Sequence, residues 1–251
     1  TGKNIEGNGT VAITALDGAA AADLSNITAS LVTAAVDDDV TFTGTIGEAV
    51  VTVASGKTFT TTAAKVNGET LDGDGTVAIT ALDATAAADL SKITAASVTA
   101  AVADDVTFTG TIGKAVVTVA NTKTFTSTAA KVNGETLDGD GTVAITALDA
   151  TAAADLSKIT AASVTANVAA DVTFTGTIGK AVVSVDASKT FTSTAAKVDG
   201  ETLNGDGTVV ITALHSTAAA DLSKSTAGSV TAALRQALTF TGRLGKAVVT
   251  V

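Results

Sequence analysis

The chain is a tandem array of one repeated sequence. The stretch GNGTVAITALD begins at Gly7, and close copies begin at Gly73, Gly139 and Gly205, each 66 positions after the one before. The units run approximately 7–72, 73–138, 139–204 and 205–251, with the fourth incomplete and no Pro-rich or Ser/Gly-rich linker between them. Repetition at such a period is typical of arrays in which each unit buries its core against its neighbours. We therefore predict one continuous repeat array over residues 1–251.

A shorter rhythm runs inside each unit. In the second unit, strand-like runs begin roughly 20 residues apart, as TVAIT (76–80), SVTAAV (97–102) and AVVTV (115–119). Their Val and Thr residues are β-branched and favour strands, and Gly, Asn and Asp clusters such as NGETLDGDG favour corners. Three coils of about 22 residues would make up one 66-residue unit. The pattern predicts an all-β fold, a parallel β-solenoid of about eleven coils.

Alternation within VTFTGTI (106–112) assigns residues to the two faces of such a strand. Val106, Phe108 and Ile112 fall on one face and Thr residues on the other. A string of small β-sandwich domains is the alternative, but it is disfavoured by the missing linkers and by a core without Trp. The Ala-rich segment ATAAADLSKITAAS (84–97) is compatible with a single helical turn at a corner.

Composition excludes several classes of function. The net charge is −10 and the two Arg residues both lie near the C-terminus, so clustered cations for nucleic-acid phosphates are missing. The chain lacks Cys, which excludes a disulfide scaffold and thiolate metal sites. Its apolar runs are too short or too interrupted for a transmembrane helix, so we expect no membrane insertion.

One corner of each unit is rich in oxygen ligands. The segment NGETLDGDG places Asn67, Glu69, Asp72 and Asp74 close together in the sequence. Such oxygens are the ligands that Ca²⁺ prefers. The first unit reads TGKNIEGNG at this corner, with Lys3 in place of Glu69, and a turn tolerates such exchange better than a metal site does. We therefore expect a turn, with a Ca²⁺ site as the alternative and no other cofactor.

Outward threonines form the other candidate site. TFTGT and TFTST runs would present Thr residues about 6.7 Å apart along a strand, on coils about 4.8 Å apart. This arrangement resembles the flat Thr arrays of ice-binding β-solenoids, although ADLSKI segments should interrupt the columns. The candidate binding face consists of Thr107, Thr109, Thr111, Thr124, Thr126 and Thr128.

Catalytic residues are not indicated. His215 is the only His, and the corresponding positions of the other units carry Asp17, Asp83 and Asp149, so it is interpreted as a turn substitution. The adjacent Asp104 and Asp105 fall in a turn between strands, where exposed charge is expected. We predict that the protein is not an enzyme.

In its near-identical tandem units and its Thr, Ala, Val, Gly and Asp content, the chain resembles the repeat regions of large bacterial surface proteins. These are secreted adhesins and matrix or filament proteins whose stalks are β-solenoids. The resemblance implies an extracellular or cell-surface structural role. Exposed β edges at open solenoid ends would pair with further copies of the chain. A surface-binding module for ice or polysaccharide is the alternative function.

Overall fold

The computed structural model describes residues 4–214, 217, 219–234, 236–237 and 239–251. Over these residues the fold is an all-β parallel β-solenoid of about 13 turns with nearly no helix, which confirms the predicted fold class. The strand pairs of its sheets are parallel. Small β-sandwiches are built from antiparallel strands, so the alternative prediction is wrong.

Two compact units make up the chain, one ending at Lys123 and the other beginning at Thr124. The strands of the first unit are β1 (Ile5–Ile13), β2 (Ile27–Val36), β3 (Val40–Thr41), β4 (Val50–Val53), β5 (Thr58–Thr61), β6 (Leu71–Asp72), β7 (Thr76–Ile79), β8 (Ser97–Val102), β9 (Val106–Thr107) and β10 (Val116–Val119). Those of the second are β11 (Thr124–Ser127), β12 (Leu137–Asp138), β13 (Thr142–Ile145), β14 (Ser163–Val168), β15 (Val172–Thr173), β16 (Val182–Val185), β17 (Thr190–Ser193), β18 (Leu203–Asn204), β19 (Thr208–Ile211), β20 (Ser229–Ala233) and β21 (Val248–Thr250).

Each unit contains two principal sheets. In the first unit, sheet 1 has the order β1-β2-β4-β6 and sheet 2 the order β3-β5-β7-β8-β10. In the second unit, sheet 3 has the order β11-β13-β14-β16-β18 and sheet 4 the order β15-β17-β19-β20-β21. Strands that occupy the same position in successive repeats, such as β4 and β10, therefore lie in different sheets.

This change of sheet explains why the number of turns is about 13 and not the eleven that we predicted from three whole coils per repeat. Several turns contain fewer residues than the predicted coil of about 22. Val40 pairs with Phe59, 19 positions later, and Thr99 pairs with Val116, 17 positions later. Each 66-residue repeat therefore makes three turns and part of a fourth, which moves the next repeat to another side of the solenoid.

The core consists of the alternate, inward side chains of each turn. In β8 the residues alternate strictly between exposed and buried, and Val98, Ala100 and Val102 are the buried ones. Phenylalanine supplies the largest core side chains: Phe42 and Phe59 are fully buried, with ring centroids 5.3 Å apart. Small and β-branched residues suffice elsewhere because the interior between parallel strands is narrow and regular.

The helical segments of the described residues are short, and they include η1 (Asp17–Ala19), α1 (Ala63–Val66), α2 (Ala129–Val132) and α3 (Ala195–Val198). The predicted helical turn in 84–97 is wrong, because that segment consists of turns and isolated bridges at Asp89 and Ile93. The α-helical turns form instead in AAKV, where the first Ala and the Val point into the core. In the part of the chain that the structure describes, no helix is long and apolar enough to cross a membrane.

Most polar groups in the core have partners. The hydroxyl groups of Thr61 and Ser193 donate to the carbonyl oxygens of Phe42 and Phe174, at 2.8 and 2.7 Å. Ser225 differs, because its hydroxyl is fully buried without a hydrogen-bond partner. The same position in the other repeats carries Ile27, Ile93 and Ile159, all of which are buried.

We expect Ser225→Ile to stabilise the protein by about 1–3 kcal/mol, because it removes an unsatisfied hydroxyl and restores the apolar volume of the other repeats. The midpoint of urea unfolding, followed by circular dichroism, measures the change. The reverse substitution, Ile159→Ser, should lower the midpoint. A lower midpoint for Ser225→Ile would show that the site does not have the shape of its isoleucine counterparts.

Candidate functional site

The predicted threonine face is oriented outward. Thr107, Thr109, Thr111 and Thr128 are exposed, and Thr124 and Thr126 are half-buried. The phenylalanines between them, Phe108 and Phe125, are fully buried. The alternation in the sequence therefore indicated the correct side of each strand.

The outward columns differ in how continuous their hydroxyl groups are. In sheet 3, Thr124 pairs with Thr142 and Thr142 with Ser163, which gives an unbroken column of hydroxyl residues. One column further along, Thr126 pairs with Ala144. The outward surface of the sheet is thus a mixture of hydroxyl and methyl groups, without charge at these positions.

Aspartates interrupt the threonine columns at the corners. Thr111 forms an isolated bridge with Asp89, and the corresponding pairs in other repeats are Asp23 with Thr45, Asp155 with Thr177 and Asp221 with Arg243. The Asp belongs to the ADLS segment, as expected from the sequence. The Thr array is therefore limited to short patches.

The acidic corner is held by separate hydrogen bonds. The Oδ1 atom of Asn67 accepts a hydrogen bond from the backbone N–H of Asp89, 2.8 Å away on the next turn. The carboxylate of Asp72 accepts one from the hydroxyl of Thr52 at 2.7 Å, and Asp74 is exposed. Over the described ranges, no group of three or more His, Cys, Asp or Glu side chains is suited to holding a metal ion. The Ca²⁺ site stays a prediction.

The turn interpretation has support from the other repeats. Asn133 accepts from the N–H of Asp155 at 2.8 Å, and Asp199 accepts from the N–H of Asp221 at 2.7 Å. An amide and a carboxylate therefore perform the same function at this position. What they share is one acceptor oxygen, which satisfies a backbone donor of the next turn.

We expect Asn67→Asp to leave stability nearly unchanged and Asn67→Ala to cost about 1 kcal/mol, because only the second removes the acceptor. Thermal unfolding monitored by circular dichroism measures both. Removing Ca²⁺ with a chelator should leave the midpoint of every variant unchanged. A midpoint that falls on chelation, in the parent chain alone, would indicate a metal site at this corner and contradict the turn.

Further corner contacts were missed by sequence reasoning. The carboxylates of Asp83 and Asp149 each accept from a backbone N–H about one turn later, those of Ala103 and Ala169, both at 2.9 Å. The position of His215 corresponds to these aspartates and lies outside the described residues. The occurrence of Asp at one position in three repeats was the available signal, but spacing alone does not reveal which donor it reaches.

At another corner, lysine side chains donate hydrogen bonds to backbone carbonyl groups. The Nζ atoms of Lys114, Lys180 and Lys246 donate to the carbonyl oxygens of residues 95, 161 and 227, at 2.7, 2.7 and 2.8 Å. Glu48 has this position in the first repeat, where an acidic side chain cannot donate.

Ion pairs connect neighbouring turns at the surface. Lys57 contacts Asp38, and Lys123 contacts Asp104, both at 2.7 Å. The Asp partner raises the pKa of each lysine. These pairs are exposed and contribute little to stability.

Three corner glutamates have raised pKa values. Burial raises the pKa of Glu69, Glu135 and Glu201, and a nearby lysine opposes the shift in each case. A raised folded-state pKa means that the folded protein holds the proton more tightly than the unfolded chain. The resulting stabilisation is fully present below the unfolded pKa and is lost as the pH rises through the folded one.

We therefore expect the triple variant Glu69→Gln, Glu135→Gln and Glu201→Gln to unfold at a higher temperature than the parent at about pH 7, where the parent glutamates are charged and partly desolvated. The difference should shrink at about pH 4.5, where the parent glutamates are becoming protonated. Thermal midpoints across this range test the sign. A difference that grows as the pH falls would contradict it.

Comparison of the chain with protein-family models, with curated proteins and with solved structures finds no match to any of them. The class that the geometry defines is a tandem-repeat parallel β-solenoid with hydroxyl-rich faces and hydrogen-bonded corners.

Proposed function

We propose that this chain is a non-enzymatic structural repeat region of an extracellular bacterial surface or filament protein. It would act as a rigid rod or stalk, or assemble by end-to-end stacking. The observation that carries the proposal is the use of corner polar groups: Asn67, Asp83 and Lys114 each contact the backbone of a neighbouring turn. Side chains engaged in this way support the backbone and do not converge on a substrate.

A stalk is consistent with the repeated architecture. Every turn buries its core only against adjacent turns, so added repeats lengthen such a structure without changing its local contacts. The net charge of −10 would keep neighbouring molecules apart and soluble outside the cell.

Deletion of one repeat tests this role. Removal of residues 73–138, a full period of the repeat, should leave the β-sheet signal per residue unchanged and lower the unfolding midpoint, because fewer turns remain. Removal of residues 73–116, which is not a full period, should disrupt the register and unfold much of the chain. Loss of folding in the full-period deletion would contradict a repeat rod.

Antibody labelling of intact cells that produce the parent protein tests its location at the cell surface.

A surface-binding module is the second candidate, favoured by the exposed Thr107, Thr109 and Thr111. Ice or a polysaccharide would be the ligand. The triple change to Val at these positions should abolish inhibition of ice growth, or glycan binding, if the face is a binding site. A rod should retain its unfolding midpoint and lose only solubility. The short length of the hydroxyl columns favours the rod.

A further inference from the structure

β15 is an edge strand inside the second unit. It begins sheet 4 and pairs with β17 on the following turn, where Val172 lies opposite Phe191. The N–H of Phe174 donates to the carbonyl oxygen of Thr192 at 2.7 Å, so Phe174 also faces the following turn. Because successive residues of a strand direct their backbone groups to opposite sides, the N–H and C=O of Thr173 face the preceding turn. Neither group has a hydrogen-bond partner in the part of the chain that the structure describes.

The preceding turn is too short to cover this edge. The carboxylate of Asp149 accepts a hydrogen bond from the N–H of Ala169 at 2.9 Å, and the carbonyl oxygen of Ala152 accepts one from the N–H of Thr175 at 2.7 Å. Between these two contacts the preceding turn has three residue steps, 149 to 152, and the later turn has six, 169 to 175. The shorter path leaves the edge of β15 uncovered, and Thr173 is exposed.

The first unit contains the same arrangement at β3, which begins sheet 2. Asp17 accepts from the N–H of Asp37 at 3.1 Å, and the N–H of Thr43 donates to the carbonyl oxygen of Ala20 at 2.8 Å, so three steps again lie beside six. Thr41, at the position of the exposed threonine of β15, is exposed as well. Each of these edges has a turn before it and a turn after it, so the uncovered strand is a property of the repeat.

A polar groove lies on the outward side of β15, with a volume of about 290 Å³. The residues that line it are Asp171, Val172, Thr173, Thr190 and Thr192. The Oδ1 atom of Asp171 accepts a hydrogen bond from the N–H of Thr190 at 2.8 Å, which holds the carboxylate in place. Asp39 and Thr58 form the same contact at 2.7 Å in the first unit. We call this site the edge groove.

The edge groove offers hydrogen-bond donors and acceptors of several kinds. The carboxylate of Asp171 and the C=O of Thr173 accept, the N–H of Thr173 donates, and the threonine hydroxyl groups do both. Among the described residues, the hydroxyl groups of Thr173, Thr190 and Thr192 have no hydrogen-bond partner. All of these groups are therefore available to a ligand that brings its own donors and acceptors.

The chemistry of the edge groove favours a neutral ligand that is rich in hydroxyl groups. The described residues that line it include a carboxylate and no basic side chain, so an anionic ligand would be repelled. Each hydroxyl group of a sugar both donates and accepts, which matches the mixed donors and acceptors of the groove. Its volume lies near the lower end of the about 300–1,000 Å³ that is typical of small-molecule sites, which suits a single sugar unit.

We propose that the edge groove binds one neutral sugar unit of a polysaccharide, at β15 and at β3. The sugar hydroxyl groups bond to the backbone of Thr173, to the second carboxylate oxygen of Asp171 and to the hydroxyl group of Thr192. The inference rests on the second candidate function and names its site and its class of ligand. A peptide strand fits this edge less well, because the N–H groups of Ala169 and Thr175 on either side are already bonded.

Saturation-transfer NMR of the full chain tests the proposal, with glucose, galactose, mannose and N-acetylglucosamine as separate probes. At least one of these sugars should receive signal from the protein, with a Kd on the order of 1 mM, because one small unit is bound without an aromatic ring to stack on. A groove variant carries Thr41→Val, Thr107→Val and Thr173→Val, which removes the hydroxyl group at this position in three repeats. It should weaken binding about tenfold.

A matched control variant carries Thr33→Val, Thr99→Val and Thr165→Val, the same change in β2, β8 and β14, outside the edge groove. It should bind the sugar as the parent does. Both variants should keep the unfolding midpoint of the parent, because every changed side chain points outward. Equal binding by the groove variant and the parent, or no signal with any of the four sugars, would overturn the edge groove.

The same experiment distinguishes the site from the function. Loss of binding in the control variant alone would place the sugar on the flat strand face, so the edge groove would be wrong while the second candidate function stood. The repeat deletion tests the rod separately from both.

Sedimentation velocity tests whether the edge binds a strand of another copy instead. Thr41→Pro and Thr173→Pro together remove the two N–H groups that such a strand would need, and proline is tolerated at a sheet edge. We expect the parent and this proline variant to sediment alike. Oligomers of the parent that are lost in the proline variant would show that the edge pairs with a strand, and would overturn the sugar site.

Discussion

Gly110→Ala is expected to destabilise the protein by about 3 kcal/mol or more. A Cβ atom on Gly110 would overlap the carbonyl oxygen of Ala88 on the preceding turn and lie 2.8 Å from two further backbone atoms. Backbone cannot rotate away as a side chain can, so the two turns must separate locally. Gly44, Gly176 and Gly242 show the same approach to the preceding turn. A clash of this kind at each repeat explains why Gly occupies this position throughout.

Gly68→Ala is the matched control. Gly68 has φ +74°, but a Cβ atom there meets nothing within 4 Å. Its cost should be limited to the left-handed conformation, about 1–2 kcal/mol. Urea unfolding of both variants, followed by circular dichroism, gives the comparison. Equal midpoints for the two would show that the turns are not in close contact at Gly110.

Phe59→Ala should destabilise the protein by about 3–5 kcal/mol. Phe59 is fully buried, and its ladder neighbours Val40 and Val77 are β-branched residues with little freedom to fill the space. The ring also packs against Phe42, at 5.3 Å and an interplanar angle of 31°. Loss of that pair adds about 0.5–1.5 kcal/mol to the effect of area alone.

Phe240→Ala provides the internal comparison. Phe240 occupies the position of Phe42 in the last repeat but is only half-buried. Its replacement should cost about half as much as that of a fully buried ring. Thermal and urea midpoints measure both. A Phe240→Ala variant as unstable as Phe59→Ala would contradict the expectation that the cost follows the burial of the ring.

The sequence predicted the fold class because two periods act at different scales. The long period required stacked repeats, and alternation in runs such as 106–112 identified Val106, Phe108 and Ile112 as core residues, which are buried. The helical turn was predicted in the wrong place. Ala-rich composition favoured 84–97, whereas AAKV forms the turn because its Ala63 and Val66 can both reach the core. Packing against the adjacent turns outweighed local propensity there.

The candidate sites were also only partly predictable from the sequence. The outward exposure of Thr107 and Thr109 follows from the alternation of residues along the strand alone. The partners of Asn67 and Asp83 do not, because each bonds to a backbone group that is distant in the sequence and becomes adjacent only when the turns stack.

By itself the sequence determined that this protein is a repeat array of short parallel strands, with apolar and hydroxyl residues on opposite faces, since both properties depend on period and side-chain type. The tertiary structure decided how many turns the array makes and which sheet each repeat enters. Those properties depend on how many residues each turn contains. Thr99 pairs with Val116, 17 positions later, whereas Asp89 pairs with Thr111, 22 positions later. Because the turns differ in length, each repeat begins on a different side from the one before, and these lengths are known only once the turns are stacked.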